Sequence, residues 1–411
     1  MSVRRRLAFA LVTLPVAFYA YACSSDPEGG ETPDGEDGGE TSETSTGKDG
    51  SVPGTDSSVP GKDGSTTDSS TPKDGGDGGD AAADAAAVTC IGNPLTADGG
   101  TADGGSNVDA AAPLTFVTIG NDTFIDGPQW VDTDAGGFLA YSEFDQNERV
   151  LRVAADGGAP ALLRDASAPP VLGNGLGPTG NAVRNGFIVT LASDKAGGTG
   201  SRLLQTAADG GIGPTLSIGT EGLSPNDLVV GKAGHIYFTD PRYQAAGAPP
   251  TGIFATNADA SVTTRFATFN DGAKPNGIAL SPDGTKLYVA FTDPKRVDSY
   301  VVPATGIIAV GAAATTVIPA GRLTDAPDGI TVDIGGNIYV AEADALGGNN
   351  GRVQVFKATG ELWGEIPLPN SRPTGVAFGG ADKKTLFITF ETAAAGGAGI
   401  RAYLGRCAGT P

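Results

Sequence analysis

The sequence predicts an all-β protein: a six-bladed β-propeller preceded by a signal peptide and a long disordered acidic linker. Cassettes containing a proline recur through the last three-quarters of the 411-residue chain, at Pro128, Pro178, Pro225, Pro275, Pro327 and Pro373. These prolines lie 46 to 52 residues apart, which is the length of a propeller blade. No helical periodicity is sustained over a useful length. The repeat therefore predicts the fold and marks the residues that begin beside the central channel.

Each cassette leads into short apolar strands that are joined by Gly-containing turns. In the fourth unit, segments 277–280 and 286–290 flank the turn Pro282-Asp283-Gly284. Apolar runs on either side of such a turn predict β-hairpins. A third strand follows in each unit, as at 352–356. Six four-stranded blades of about 48 residues account for the predicted domain, 113–411.

Residues 1–22 predict a lipoprotein-type signal peptide. Three arginines, Arg4 to Arg6, precede an apolar run that is too short to span a bilayer comfortably. The run ends at Ala22-Cys23 in a sequence similar to a bacterial lipoprotein cleavage site, so Cys23 is the predicted lipidation site. We expect an exported protein, lipid-anchored to the bacterial cell envelope at the outer membrane, on its periplasmic side or its surface. An ordinary secretory signal with a chance cysteine is the alternative.

Residues 23–112 predict a disordered linker of Gly, Asp, Ser, Thr, Ala and Pro, with too few apolar side chains to form a core. Between positions 24 and 112 the chain has 19 acidic residues and three lysines, a charge of −16 out of a total of −20. The acidity is therefore mostly a property of the linker, and it does not favour nucleic acid as a partner.

Cys90 and Cys407 flank the repeats, and the sequence predicts a disulfide between them. A closed propeller brings its chain ends together, often in one blade, and an exported protein sits where disulfides persist. A bridge across so long a loop contributes several kcal/mol in the chain-entropy account. Two free thiols that never meet are the alternative.

The residues after the cassette prolines are candidates for the channel lining: Gln129, Thr179, Asn226, Asn276, Asp328 and Thr374. Asp126 adds a carboxylate just before the first proline. Asp126, Asn226, Asn276 and Asp328, completed by water, form an oxygen set that suits a divalent cation such as Ca²⁺. Thr179 and Thr374 are expected to lie farther out and line a substrate pocket. Alternatively, these residues are ordinary turn residues whose side chains cap their own backbone.

The histidine count limits the catalytic chemistry. His235 is the single histidine, and it occupies a hairpin position that we expect to lie at the surface. Hydrolysis of the Ser-His-Asp kind and a His-rich zinc site therefore have no residue to work with. A hydrolase built on this chain must use a carboxylate as its base, and Asp328 beside the cation is the catalytic candidate.

The cassettes carry a resemblance over roughly residues 115–405. The opening segment 126–130 (Asp-Gly-Pro-Gln-Trp), segment 224–230 (Ser-Pro-Asn-Asp-Leu-Val-Val) and segment 274–284 resemble motifs of the gluconolactonase / senescence marker protein (regucalcin) family. This resemblance implies a six-bladed propeller that hydrolyses sugar lactones with Ca²⁺ or Zn²⁺. It also places the family's metal-binding Glu at Asp126, its two Asn at Asn226 and Asn276, and its Asp at Asp328.

Two departures from the family pattern affect the functional prediction. Segment 191–195 lacks the histidine of many lactonases, and segment 221–223 lacks an arginine that holds substrate in some relatives. We predict a metal-dependent hydrolase of a sugar lactone or similar cyclic ester, monomeric and tethered to the envelope, with this small molecule as its partner. The departures motivate the alternative, a non-catalytic propeller module that binds protein or glycan and carries a structural metal ion.

Overall fold

The computed structural model describes residues 93–95, 114–119, 124–145, 148–165, 175–219, 221–222, 224–245, 250–343, 351–392 and 397–410. These residues form 24 β-strands and one 3-10 helix, Ala320–Arg322. The strands assemble into six antiparallel four-stranded sheets, the blades of a six-bladed β-propeller. The predicted six-bladed β-propeller is confirmed, whereas the predicted linker, 23–112, lies outside the described residues except at 93–95. Among these residues no helix is long and apolar enough to cross a membrane, and the predictions for 1–22 and for Cys23 lie outside the described residues.

The strands follow the blades in order, apart from β1 (Leu114–Ile119), which belongs to the last blade. Blade 1 contains β2 (Ile125–Val131), β3 (Phe138–Glu143), β4 (Arg149–Ala154) and β5 (Ala161–Asp165). Blade 2 contains β6 (Leu176–Arg184), β7 (Phe187–Asp194), β8 (Arg202–Ala207) and β9 (Leu216–Ser217). Blade 3 contains β10 (Leu228–Val230), β11 (Ile236–Asp240), β12 (Thr251–Thr256) and β13 (Thr263–Phe269).

The remaining blades repeat this plan. Blade 4 contains β14 (Lys274–Leu280), β15 (Lys286–Asp293), β16 (Arg296–Val301) and β17 (Thr315–Ile318). Blade 5 contains β18 (Ala326–Val332), β19 (Ile338–Ala343), β20 (Arg352–Phe356) and β21 (Leu362–Pro367). Blade 6 contains β22 (Ser371–Gly379), β23 (Thr385–Thr392) and β24 (Ala398–Leu404), and β1 completes it.

Blade 6 closes the propeller with strands from both ends of the repeat region. The N-terminal strand β1 pairs antiparallel with β24, so the predicted sharing of one blade by both ends is confirmed. Cys407 follows β24, is buried, and is disulfide-bonded. Cys90 lies outside the described residues, and its pairing with Cys407 stays a prediction.

The core consists of apolar layers between neighbouring blades. Tyr237, Tyr288, Tyr339 and Phe387 lie at matching positions of four second strands and are all at most 2% exposed. The layer between blades 5 and 6 also contains Leu95, which is 2% exposed. Leu95 falls within the segment 23–112 that the sequence predicts to be a linker, so at this residue the chain belongs to the core.

The six first strands surround the central channel and touch one another in a closed ring, β2, β6, β10, β14, β18 and β22. Most of them carry a register shift at the cassette, as between Pro275 and Ile278 or between Pro327 and Ile330. Such bulges change the direction in which a side chain points. The glycine inside the bulge lies against the next blade: a Cβ at Gly277 would be 2.3 Å from the Asp328 carbonyl oxygen. Close approach therefore requires glycine there.

We expect Gly277→Ala to destabilise the propeller by about 1–3 kcal/mol, because backbone atoms of blade 5 leave no room for a methyl group. Gly321→Ala is the matched control, since a Cβ there meets nothing within 4 Å. Urea unfolding monitored by fluorescence measures both changes. Equal stability of the two variants would contradict the packing account.

Candidate functional site

The cassettes place one side chain from each blade at the same level of the channel. The Thr374 hydroxyl donates to the Ile125 carbonyl of the next blade (2.7 Å), and the Thr179 hydroxyl donates to the Pro225 carbonyl of its next blade (3.5 Å). Ile125 therefore holds the place of Pro225, and Asp126 that of Asn226. The ring at this level, which we call the axial ring, consists of Asp126, Thr179, Asn226, Asn276, Asp328 and Thr374.

The sequence-based placement of Gln129 in this ring is wrong. Gln129 lies three residues farther along β2, and its side-chain amide donates to the Trp130 carbonyl (2.8 Å). The repeat was aligned on Pro128, whereas in blade 1 the residue equivalent to the other cassette prolines is Ile125. Asp126 is thus a full member of the ring.

A cavity of about 300 Å³ extends from the axial ring along the channel axis. Asp126, Asn226 and Asn276 line the end of the cavity that is formed by the axial ring. Three residues farther along each strand the lining becomes mostly small or apolar, with Gln129, Ala182, Val229, Ala279, Thr331 and Ala377. Thr410 lies at the far end. Ring residues contribute one carboxyl and two amide side chains at the ring end of the cavity, whereas the rest of the lining mixes apolar residues with polar ones such as Lys232, Ser281 and Thr410.

Two ring carboxyls are buried and influence each other. Asp126 is 5% exposed and Asp328 is 6% exposed. Burial raises the pKa of Asp126 to about 6, against the lowering effects of the Gly127 N–H and of Arg372. Burial, and then repulsion from Asp126, raises the pKa of Asp328 well above its usual range. The protein thus holds two acids where neither ionises easily without a compensating cation.

The two asparagines contribute amide groups to the same ring. Within the described part of the chain, Asn226 Oδ1 is buried and has no hydrogen-bond partner. The Asn276 amide nitrogen donates to the Tyr243 hydroxyl (3.2 Å) and to Thr292 Oγ1 (3.0 Å), and it also bonds Asp328. Neither asparagine caps its own backbone, which argues against the ordinary-turn interpretation for these two residues; the Asp126 carboxylate, by contrast, accepts the Gly127 N–H.

This donor set fits a hard divalent cation. It offers two carboxylates and two amide oxygens, and the unpartnered Asn226 Oδ1 is a buried acceptor that a cation would satisfy. No group of three or more His, Cys, Asp or Glu side chains in the described ranges has the arrangement of a metal site. An ion here would therefore depend on the asparagines as much as on the two carboxylates.

The substrate-pocket role expected of Thr179 and Thr374 is not what their positions favour. They are 3% and 0% exposed, and neither lines the cavity. Each hydroxyl instead bonds a backbone carbonyl of the following blade. These threonines connect blades at the level of the ring.

The sequence analysis missed three polar residues around the ring, namely Asp227, Arg372 and Glu391. Asp227 follows Asn226 and lines the cavity; burial, and then repulsion from Asp126, raises its pKa to about 7. Arg372 bonds Glu391 (3.1 Å) with a side chain that is 31% exposed. Its charge lowers the pKa of both ring carboxyls. Only Asp227 had a sequence signal, since it replaces the glycine that follows the ring residue in other cassettes.

His235 is buried, which corrects the expectation of a surface position. It is 4% exposed, and its Nδ1 lies 2.8 Å from the Thr256 carbonyl oxygen. The turn at Gly306 covers the imidazole of His235, because a Cβ at Gly306 would be 2.2 Å from His235 Cδ2. The histidine is a packing residue between blades 3 and 4, away from the axial ring.

Comparison with known proteins identifies the family of the propeller. Residues 129–392 match the model of the SMP-30/Gluconolactonase/LRE-like region. The chain belongs to this family. The match includes every ring residue except Asp126, which precedes it by three positions.

Named relatives of the chain are lactonases. A gluconolactonase of Zymomonas mobilis is 32% identical over 180 residues, 40% of this chain and 48% of that protein. A pentonolactonase of Haloferax volcanii is 30% identical over 167 residues, 40% of this chain and 52% of that protein. The chain thus spans about half the length of these relatives.

Solved structures share the fold. A gluconolactonase from Xanthomonas campestris superposes with a TM-score of 0.54 at 24% identity, over 72% of this chain and 98% of that chain. A calcium-binding protein, regucalcin, from Agrobacterium tumefaciens gives 0.52 at 18% identity, over 72% and 96%. At these identities the likeness concerns the propeller alone.

We expect the metal-free protein to lose stability as pH rises from about 4 to 7. A carboxyl whose pKa is raised on folding stabilises fully below its ordinary pKa, near 4, and this contribution is lost as pH passes the folded value, about 6 for Asp126. The contribution of Asp126 to the free energy of unfolding is about 3 kcal/mol. The measurement is the Tm difference between wild type and Asp126→Asn in EDTA across this range.

Calcium should raise the wild-type Tm more at pH 7 than at pH 5, because a cation binds the ionised carboxylates. Asp126→Asn combined with Asp328→Asn should abolish this effect. A Tm difference from Asp126→Asn that is constant with pH would contradict the assignment.

Proposed function

We propose that this protein hydrolyses a sugar lactone or a similar cyclic ester with the help of a divalent cation in the axial ring. Family membership supports the reaction class. The single observation that carries the proposal is the composition of the ring: the buried Asp126 and Asp328 carboxyls share one level with Asn276 and with the unpartnered Asn226 oxygen. Asp126, Asn226 and Asn276 also line the channel cavity. The all-oxygen donor set suits Ca²⁺ better than Zn²⁺, which prefers nitrogen and sulfur ligands.

Asp126, Asn226, Asn276 and Asp328 would hold the cation. When bound, it would polarise the lactone carbonyl and stabilise negative charge on its oxygen. Asp328 takes the proton from the attacking water as the water oxygen bonds to the carbonyl carbon. The ring C–O bond then breaks, and the proton passes to the departing oxygen to give the open hydroxy acid. A carboxylate of raised basicity suits this proton transfer near neutral pH.

We assign Arg372 and Tyr243 the role of orienting the substrate. Arg372 is anchored by Glu391, the one partner of its guanidinium among the described residues, and its charge acts on both ring carboxyls. Its other N–H groups are free to donate to hydroxyl or carbonyl oxygens of a lactone. The Tyr243 hydroxyl bonds Asn276 and Thr292, and burial, and then the charge of Asp328, raises its pKa.

Wild-type protein should release acid from aldonolactones in a metal-dependent reaction. Asp328→Asn should lower kcat/KM by about 10²- to 10⁴-fold, because it removes the proton acceptor and one ligand charge together. Asp259→Asn, on an exposed turn, is the matched control and should change nothing. A pH-indicator assay with Ca²⁺, Zn²⁺, Mg²⁺ and Mn²⁺ measures all three proteins.

Folded wild-type protein that turns over no lactone with any of these ions would sink the enzymatic proposal. The binding-module alternative would then explain the fold better. It requires that EDTA lowers the Tm while capture of a protein or glycan survives Asp328→Ala.

We also propose that the propeller is tethered to the cell envelope through a lipid on Cys23, on the strength of the basic and apolar sequence before it. In a bacterial host, the full-length chain should partition into the membrane fraction, and its N-terminal peptide should carry the mass of acyl chains. Cys23→Ser should move the protein to the soluble fraction. A wild-type N-terminus without acyl groups would refute the anchor.

A further inference from the structure

Asp227 breaks the pattern of the inner strands. It occupies the position directly after the axial ring, which is glycine in the other five blades, namely Gly127, Gly180, Gly277, Gly329 and Gly375. The glycines are required by the close approach of the next blade. Blade 3 places a carboxylate in this crowded layer, which calls for a specific role of the side chain.

The Asp227 carboxylate joins blades 3 and 4. Its Oδ1 accepts the N–H of Leu228 in its own strand (2.8 Å), and its Oδ2 accepts the N–H of Ile278 in the neighbouring strand β14 (3.0 Å). Hydrogen bonds to an ionised carboxylate are stronger than neutral ones. The bridge begins one residue after Asn226 and ends two residues after Asn276.

A second connection runs through Thr239, which is fully buried. The Asp227 N–H donates to the Thr239 hydroxyl (3.2 Å), and the Thr239 N–H donates to the Asp227 carbonyl (3.0 Å). The same hydroxyl donates to the Asn276 carbonyl (2.7 Å). One carboxylate and one hydroxyl thus hold the backbone of both asparagine cassettes.

Blade 3 needs this support because its first strand is short. β10 contains only Leu228–Val230, and its regular ladder with β11 starts at Leu228. The cassette itself is joined to β11 at Thr239 alone, by the Asn226 N–H to the Thr239 carbonyl (2.9 Å) and by the Thr239 N–H to the Asp227 carbonyl (3.0 Å). In blade 4, pairing with β15 already begins at Lys274, before the cassette. Blade 2 contacts Asp227 from the other side, since a Cβ at Gly180 would be 2.6 Å from Asp227 Oδ1.

We propose that Asp227 is a positioning residue that fixes the separation of the Asn226 and Asn276 amide oxygens, and so sets the cation affinity of the axial ring. This inference rests on the proposed function only through the cation site, not through lactone turnover. Asp227 acts through the two backbones and need not touch the cation or the substrate.

The test compares Asp227→Gly and Asp227→Asn with wild type. Asp227→Gly installs the residue of the other blades and removes both bonds, whereas Asp227→Asn retains one acceptor oxygen. Calcium titration of the EDTA-treated, dialysed full-length protein should show about a 10- to 100-fold rise in Kd for Asp227→Gly, with Asp227→Asn between it and wild type. Deuterium uptake without metal should rise in the peptides that contain the Leu228 and Ile278 amides.

Asp194→Asn and Asp194→Gly are the matched controls. Asp194 also accepts two backbone N–H groups, from Ala196 and Gly200 (3.0 Å each), but it closes a loop of blade 2 that is not part of the axial ring. These variants should lose comparable stability and retain the wild-type Kd. If the Asp227 variants lose calcium affinity and the Asp194 variants do not, the effect of Asp227 is positioning and not general stabilisation.

A Kd for Asp227→Gly equal to that of wild type would overturn the positioning role but not the cation site. An equal loss of affinity in Asp194→Gly would do the same. Wild type that binds no Ca²⁺ would overturn both the cation site and the inference. Wild type that binds Ca²⁺ but hydrolyses no lactone would remove the proposed reaction, while the Asp227 comparison would still decide the positioning role.

Discussion

The structure depends on the close approach of six inner strands at one level of the propeller axis. At this level the backbone of each blade lies against the next, so closely that Gly277 and Gly329 have no space for a Cβ. Register shifts in β14 and β18 accompany this contact, and such bulges change the direction in which a side chain points. The tight packing brings one side chain from each blade to the same level of the axis. The identity of these six side chains then decides the chemistry of the ring.

The carboxyls of that ring are unfavourable to ionise in their buried positions, which implies that a cation binds there. Asp126 and Asp328 are both buried, and burial raises the pKa of Asp126, Asp227 and Asp328. Repulsion from Asp126 raises the pKa of Asp227 and Asp328 further. The Arg372 charge offsets part of this, although Glu391 pairs with it. A divalent cation would compensate the two ring carboxylates and satisfy Asn226 Oδ1 at once. Binding of cation and release of protons are therefore expected to be linked.

Contacts in blades 5 and 6 close the propeller around the ring. β1 and β24 join the two ends of the repeat region in blade 6. Beyond β24 the chain crosses to blade 5, where the Ile334 N–H donates to the Ala408 carbonyl and the Thr410 N–H donates to the Val332 carbonyl. Leu95 fills the apolar layer between the same two blades. These contacts oppose a widening between blades 5 and 6, which would separate Asp328 from Asp126.

The sequence by itself determined the blade number, the strand order and most of the ring, because a repeat of nearly constant length carries the same local turn chemistry each time. Asn226, Asn276 and Asp328 follow their prolines directly, so their common level could be inferred. Only the tertiary structure decided that Ile125 takes the place of a proline in blade 1, since that equivalence appears in hydrogen bonds between blades. It also decided that Thr179 and Thr374 bond neighbouring blades, that Gly306 covers His235, and that Arg372 acts on the ring. These outcomes depend on contacts between segments far apart in the chain, which no local pattern specifies.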